Sequence, residues 1–107
     1  MNARDLLARA EGFDWDAGNR DKNLEKHDVQ FWEAEEVFFN RPLVVRGDLE
    51  HSLREPRFFA LGKTEADRLL FLAFTVRKNL VRVISARDMT RRELAAYAQH
   101  HEDDAHP

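Results

Sequence analysis

The chain has 107 residues, 17 Lys and Arg against 20 Asp and Glu, a formal net charge of -3 and no cysteine. This length holds one ordinary domain, and eight Phe with two Trp supply the apolar volume for one core. Without cysteine there are no disulfides, thiolate metal sites or cysteine nucleophiles. No run approaches the roughly 20 apolar residues of a membrane span, and Arg4, Asp5, Arg9 and Glu11 interrupt any leader-like pattern, so the expected compartment is the cytoplasm.

In chain order, residues 1–11 place Leu6, Leu7 and Ala10 on one helical stripe that Gly12 ends. Phe13-Asp14-Trp15 alternates like a short strand. Asp16 is a good N-cap for a helix over 17–27, with Leu24 as its apolar anchor and Asn23 and His27 sharing a face. Asp28 breaks that helix. Phe31, Ala34, Val37 and Phe38 then recur at helical spacing until Asn40-Arg41-Pro42. Leu43-Val44-Val45 reads as a short strand, 47–56 as a polar loop, and Arg57 to Leu61 as a strand ended by a turn at Gly62. The apolar run Leu69 to Val76 is expected to be central and covered on both faces. Arg77-Lys78-Asn79 turns into a last strand over 80–86. Strict alternation there puts Arg82 and Arg87 on opposite faces. Thr90-Arg91-Arg92-Glu93 is a capping box for a helix to about His100. This order predicts an α+β fold: a small antiparallel sheet packed with two helices from the first half and one C-terminal helix. The expected organisation is an extension over 1–12, one domain over 13–100 and a frayed acidic tail over 101–107.

Charge is distributed unevenly. Between residues 68 and 92, Arg68, Arg77, Lys78, Arg82, Arg87, Arg91 and Arg92 face only Asp88. Such crowding points to a polyanionic partner, and the guanidinium fork matches phosphate oxygens. Arg91 and Arg92 open a helix whose dipole disfavours cations by about 0.3–1 kcal/mol each. With Arg87 they make a candidate phosphate cradle; the competing reading pairs them with Asp88 or with carboxylates of the first helices. His27 has the right ordinary pKa for proton transfer, although a helix-terminal His interacting with the last carbonyls is the commoner role. His51, His100, His101 and His106 have no recognised ligand spacing, so no metal site is expected. Neither a glycine-rich phosphate loop nor a nucleophile elbow occurs. The phenylalanines read as core before they read as base-stacking surfaces, while Trp15 and Trp32 are candidates for a surface edge.

Taken together, Phe13-Asp14-Trp15-Asp16, Asn23, Lys26-His27, Val29, Phe31, Glu33-Ala34 and Val37-Phe38 resemble the opening of the BrnT toxins. Arg57, Gly62, Phe74-Thr75, Arg82, Ile84-Ser85-Ala86-Arg87, Thr90-Arg91-Arg92-Glu93 and Tyr97 resemble that family's second half. The likeness spans 13–97 and departs at Asp28, where the family has Gly, and at Gln30, where it has Ser or Thr. It implies a RelE-like ribonuclease fold, the toxin role in a type II toxin–antitoxin system, a BrnA-type antitoxin partner, and DNA binding only through the antitoxin complex. On this reading the chain is a metal-independent endoribonuclease without cofactor. Arg82, Arg87, Arg91, Arg92 and His27 form the catalytic set, and Lys26, Arg57 and Arg77 contact RNA. The alternatives are a non-catalytic arginine-rich binding module, for an acidic protein or nucleic acid, and a divergent, non-toxic family member.

Overall fold

The computed structural model describes residues 3–48 and 55–104. Its elements run α1 (Ala3–Ala8), β1 (Gly12–Phe13), α2 (Ala17–His27), α3 (Phe31–Val37), β2 (Val44–Gly47), β3 (Arg57–Lys63), β4 (Leu69–Arg77), β5 (Leu80–Asp88) and α4 (Arg91–Asp104). One five-stranded sheet has the order β1-β5-β4-β3-β2. Its pairs are antiparallel except β1 with β5, which are parallel. The α+β class expected from the sequence is the one observed.

Local chemistry explains most boundaries. The Asp16 carboxylate accepts from the Asn19 amide at 2.7 Å and starts α2. Asp28 stops α2 in the left-handed conformation (φ 54°), which a short polar side chain tolerates better than most. At α3, Gln30 is the N-cap, and Glu33 reaches back to accept from its amide at 3.0 Å. Lys78 and Asn79 both have positive φ (53° and 63°), the signature of the tight two-residue turn that suits a hairpin's twist.

The core lies on one face of the sheet. Phe58, Ala60, Leu70, Leu72, Phe74, Val81, Val83 and Ala86 meet Val29 and, from α3, Ala34 and Val37. Phe74 sits at the centre, edge-on to Phe38 (5.0 Å between ring centroids) and tilted against Phe58 (5.5 Å). Burying such a side chain stabilises the fold by roughly 1.5–3 kcal/mol relative to exposing it.

Several expectations are corrected. α1 ends at Ala8, and Gly12 belongs to β1, which is shorter than the expected 13–15 strand. Leu24 is exposed; the buried residue of α2 is Asn23, 2% accessible. Gly62 makes no turn but lies inside β3, where a Cβ would come within 2.6 Å of Val37 Cγ1, so close approach of α3 demands glycine. β4 is the middle strand, yet Leu69 and Phe71 keep partial exposure, so its second face is only partly covered. α4 runs beyond His100 to Asp104. The 49–54 part of the polar loop, with His51, and residues 105–107, with His106, lie outside the described residues.

The largest correction is in β5. Val83 pairs with Phe74 and Ser85 with Ala73, leaving Ile84 as an extra residue. This bulge reverses the alternation behind it. Val81, Val83 and Ala86 therefore all face the core, while Arg82, Ser85 and Arg87 share the other face.

Candidate nucleic-acid interface

The face opposite the core collects the basic side chains. By register, Arg82 pairs with Thr75, which pairs with Arg57; Arg87 pairs with Phe71, and Arg46 with Phe59. Residues paired across a sheet project from the same side, so Arg46, Arg57, Arg77, Arg82 and Arg87 share one face with Phe59, Phe71, Thr75 and Ser85. Phe59 and Phe71 lie against each other with centroids 5.2 Å apart and take no part in the core. The expectation that phenylalanines read as core fails for this pair, because they alternate out of it.

Arg82, Arg57, Arg77 and Arg87 are held by carboxylates. Arg82 Nη2 lies 3.0 Å from Asp16 Oδ2, and its Nη1 3.5 Å from Asp14 Oδ2. Arg57 Nε is 3.2 Å from Asp48 Oδ2, and Arg77 pairs with Glu55. Arg87 makes the tightest set: Nη1 and Nη2 donate to Glu93 Oε1 and Oε2 at 2.7 and 3.0 Å. The Arg87 guanidinium also covers the Phe71 ring at 4.1 Å. The hydrogen bond from Arg87 is the main reason Glu93 is held below the ordinary carboxyl range, and the same bond raises Arg87 above its own ordinary value.

At the start of α4 the capping box forms as expected. The Thr90 amide donates to Glu93 Oε1 (2.9 Å), and the Glu93 amide to Thr90 Oγ1 (3.3 Å). The cradle expected for a phosphate therefore holds a side-chain carboxylate. Arg91 and Arg92 are exposed, and neither makes an ion pair or side-chain hydrogen bond among the described residues. Asp88, once their expected partner, is bound by Arg68 instead (Nε to Oδ1, 2.8 Å). α4 rests on the sheet through Tyr97, whose buried hydroxyl donates to Pro42 O at 2.7 Å.

His27 and Lys26 lie elsewhere. They close α2, which lies along the outer edge of β5, and the His27 carbonyl accepts from Arg68 Nη2 at 3.2 Å. Asp88 is held below the ordinary carboxyl range chiefly by the Arg68 hydrogen bond. The structure thus brings Arg82, Arg87, Arg57 and Arg77 onto one face and leaves His27 at the end of α2, beside Arg68 and Asp88. Trp15 is tied down, with Nε1 donating to Glu35 Oε2 at 2.9 Å, whereas Trp32 is half exposed. Among the described residues no group of His, Asp and Glu is arranged to hold a metal ion, and no helix is long and apolar enough to cross a membrane.

With this geometry in place, the comparisons decide the family. A model described as "Ribonuclease toxin, BrnT, of type II toxin-antitoxin system" matches residues 15–93. The chain belongs to the BrnT family. Among solved structures it is similar to the Brucella abortus ribonuclease toxin BrnT, with a TM-score of 0.54, 19% identity, and coverage of 75% of this chain and 97% of that one. At that identity the likeness establishes the fold. No curated protein matches the chain. Within this BrnT-family chain, α1, β1 and the end of α4 fall outside the matched residues.

Sequence reasoning missed Glu93 as the partner of Arg87, and Phe59, Phe71, Ser85 and Arg46 as members of the same face. Glu93 was legible only as a cap. Its second bond depends on the bulge that aims Arg87 toward α4.

Proposed function

We propose that this chain is the toxin of a type II pair and acts as a metal-independent endoribonuclease in the cytoplasm, neutralised by a BrnA-type antitoxin. DNA is reached only through that complex. The observation that supports the reading is the β5 bulge, which gives Arg82 and Arg87 the same face as Arg57. A ribose 2′-hydroxyl attacking the adjacent phosphate yields a 2′,3′-cyclic phosphate and a 5′-hydroxyl. That step asks chiefly for alignment and for stabilisation of a phosphorane with added negative charge. Arg82 and Arg87, with Arg91 and Arg92 at the adjoining helix start, supply fixed cations for it. Arg57 and Arg77 extend the contact along the strand face, and Lys26 serves RNA that passes around the end of β5. His27 enters as acid or base only for a substrate that wraps that end.

Phosphate must displace or share the carboxylates on Arg82 and Arg87, so binding exchanges one anion for another. The test is cleavage of total RNA in EDTA by wild type and by Arg82→Ala/Arg87→Ala, each checked for folding by circular dichroism. We expect wild type to cut all-ribose RNA, a 2′-deoxy nucleotide at the cut site to abolish cutting, and the variant to lose about 10²–10³ in rate. Cleavage that EDTA stops would refute metal independence. The carboxylate-held arginines also favour a second reading, a binding module without turnover; RNA retention without any cleavage would select it.

A further inference from the structure

The geometry points to Asn23 and Asn19 as positioning residues for the arginine face: their side-chain amides on α2 clamp the β5 bulge in the register that places Arg82 and Arg87 together. The inference rests on the proposed role of that face and adds what sets it up.

β1 covers only the start of β5. Its last contact is the Asp14 amide donating to Val81 O at 2.9 Å. Beyond it the outer edge of β5 has no strand partner among the described residues, and α2 takes over. Asn19 Nδ2 donates to Val83 O at 3.4 Å, and Asn23 Oδ1 accepts from the Ala86 amide at 3.1 Å. These two contacts lie on either side of Ile84, the extra residue.

The parity of the bonded residues carries the argument. In a regular strand the backbone groups directed to one edge belong to alternate residues, so Val81 and Val83 would be followed by Ser85. The group that Asn23 binds belongs to Ala86. Asn23 therefore recognises the shifted register and not the regular one. In the regular register Arg87 would turn to the core face, where Ala86 now sits with no accessible surface.

Asn23 is itself fixed. It is almost fully buried, and its Nδ2 donates to Asn19 O at 3.2 Å. Its carbonyl accepts from the Asp28 and Val29 amides where α2 ends. Asn19 and Asn23 are one turn apart, about 6 Å along the helix axis, which lets one rigid element hold both sides of the bulge. The exposed sequence of α2 is thus organised around a buried amide, not around an apolar stripe.

The test compares full-length Asn23→Ala, a deletion of Ile84, and the two combined. In the deletion, regular alternation alone leaves Arg82 and Arg87 on one face, so the clamp is no longer needed. NMR reads the Ser85–Ala73 cross-strand contacts and Ala86 amide exchange, and RNA cleavage is measured alongside. We expect Asn23→Ala to lose the Ser85–Ala73 pairing, to exchange the Ala86 amide about tenfold faster, and to cut RNA at least about tenfold more slowly. Adding the Ile84 deletion should return cleavage to that of the deletion alone. A residue that merely stabilised the fold would show no such rescue, and absence of rescue overturns the inference. Retention of the native register in Asn23→Ala overturns it as well. Should wild type cut no RNA, the register measurement still decides the clamp while the ribonuclease reading falls separately. If Asn23→Ala does not fold, Asn23→Asp, which keeps the acceptor for Ala86, must preserve the register.

Discussion

Replacing Arg68 with Ala separates architecture from phosphate chemistry inside the basic segment. Its guanidinium donates to Asp88 (2.8 and 3.2 Å), to both Glu33 oxygens (3.3 Å each), and to the carbonyls of Asp28 (2.7 Å) and His27 (3.2 Å). The Asp88 side chain is 65% exposed and regains water when Arg68 is removed, so that contact contributes about 1 kcal/mol or less. Glu33 is only 15% exposed, and the α2 carbonyls also lose partners. Each group left short of a hydrogen bond costs roughly 1–3 kcal/mol. The expected loss is about 2–3 kcal/mol, a fall in Tm on the order of 10 °C for a domain of this size. Because Arg68 holds Asp88 below its ordinary value, the pair's stabilisation is fully present above the unfolded carboxyl pKa near ~3.9. It is lost as pH falls through the lower folded value. Thermal melts of wild type and variant at pH 6 and pH 3 should therefore show a gap that narrows in acid by the Asp88 share, about 1 kcal/mol or less. A Tm change equivalent to less than about 0.5 kcal/mol, or a gap that does not narrow with pH, would refute this account of Arg68.

Other perturbations follow from the same contacts. Gly62→Ala drives a Cβ into Val37 and should cost about 1–3 kcal/mol; adding Val37→Ala should recover part of it in a double-mutant cycle by denaturant unfolding. Asp28→Gly relieves the left-handed residue and should stabilise by about 0.5–1 kcal/mol, read as a higher denaturation midpoint. Glu93→Gln removes the anion from Arg87 and should tighten RNA binding at low salt. In wild type the Arg87–Glu93 pair holds above the ordinary carboxyl range and is lost only as pH falls through the depressed Glu93 value, so RNA affinity of wild type should approach that of the variant in acid.

The sequence exposed the features whose cause is local. Asp16, Asp28, the Lys78-Asn79 turn and the Thr90–Glu93 box each act within a few residues, and all appear where their chemistry puts them. The α+β order and the BrnT likeness were equally readable. What escaped depends on distant partners. Gly62 looks like a turn until α3 lies against it, and Leu24 looks like an anchor until β5 offers Asn23 a backbone amide. The Ile84 bulge has no signature within 80–88, because what holds it sits on α2, more than sixty residues earlier. For the candidate site, the arginines could be named but not placed: alternation separates Arg82 from Arg87, and only the bulge reunites them. His27 could be named for its chemistry, but its place at the end of α2, with its carbonyl bonded to Arg68, could not be read.

The parallel pairing of β1 with β5 also sets an order of events during synthesis. Gly12 and Phe13 find their strand partners at Leu80 and Val81, and the α2 amides find theirs at Val83 and Ala86. Closing so long a stretch of chain delays these contacts. A nascent chain halted before Leu80 has no neighbour for β1, no backbone partners for the α2 amides, and neither Arg82 nor Arg87. Arg82 and Arg87 join the arginine face only with β5, after the strands that carry Arg46, Arg57 and Arg77 have been made.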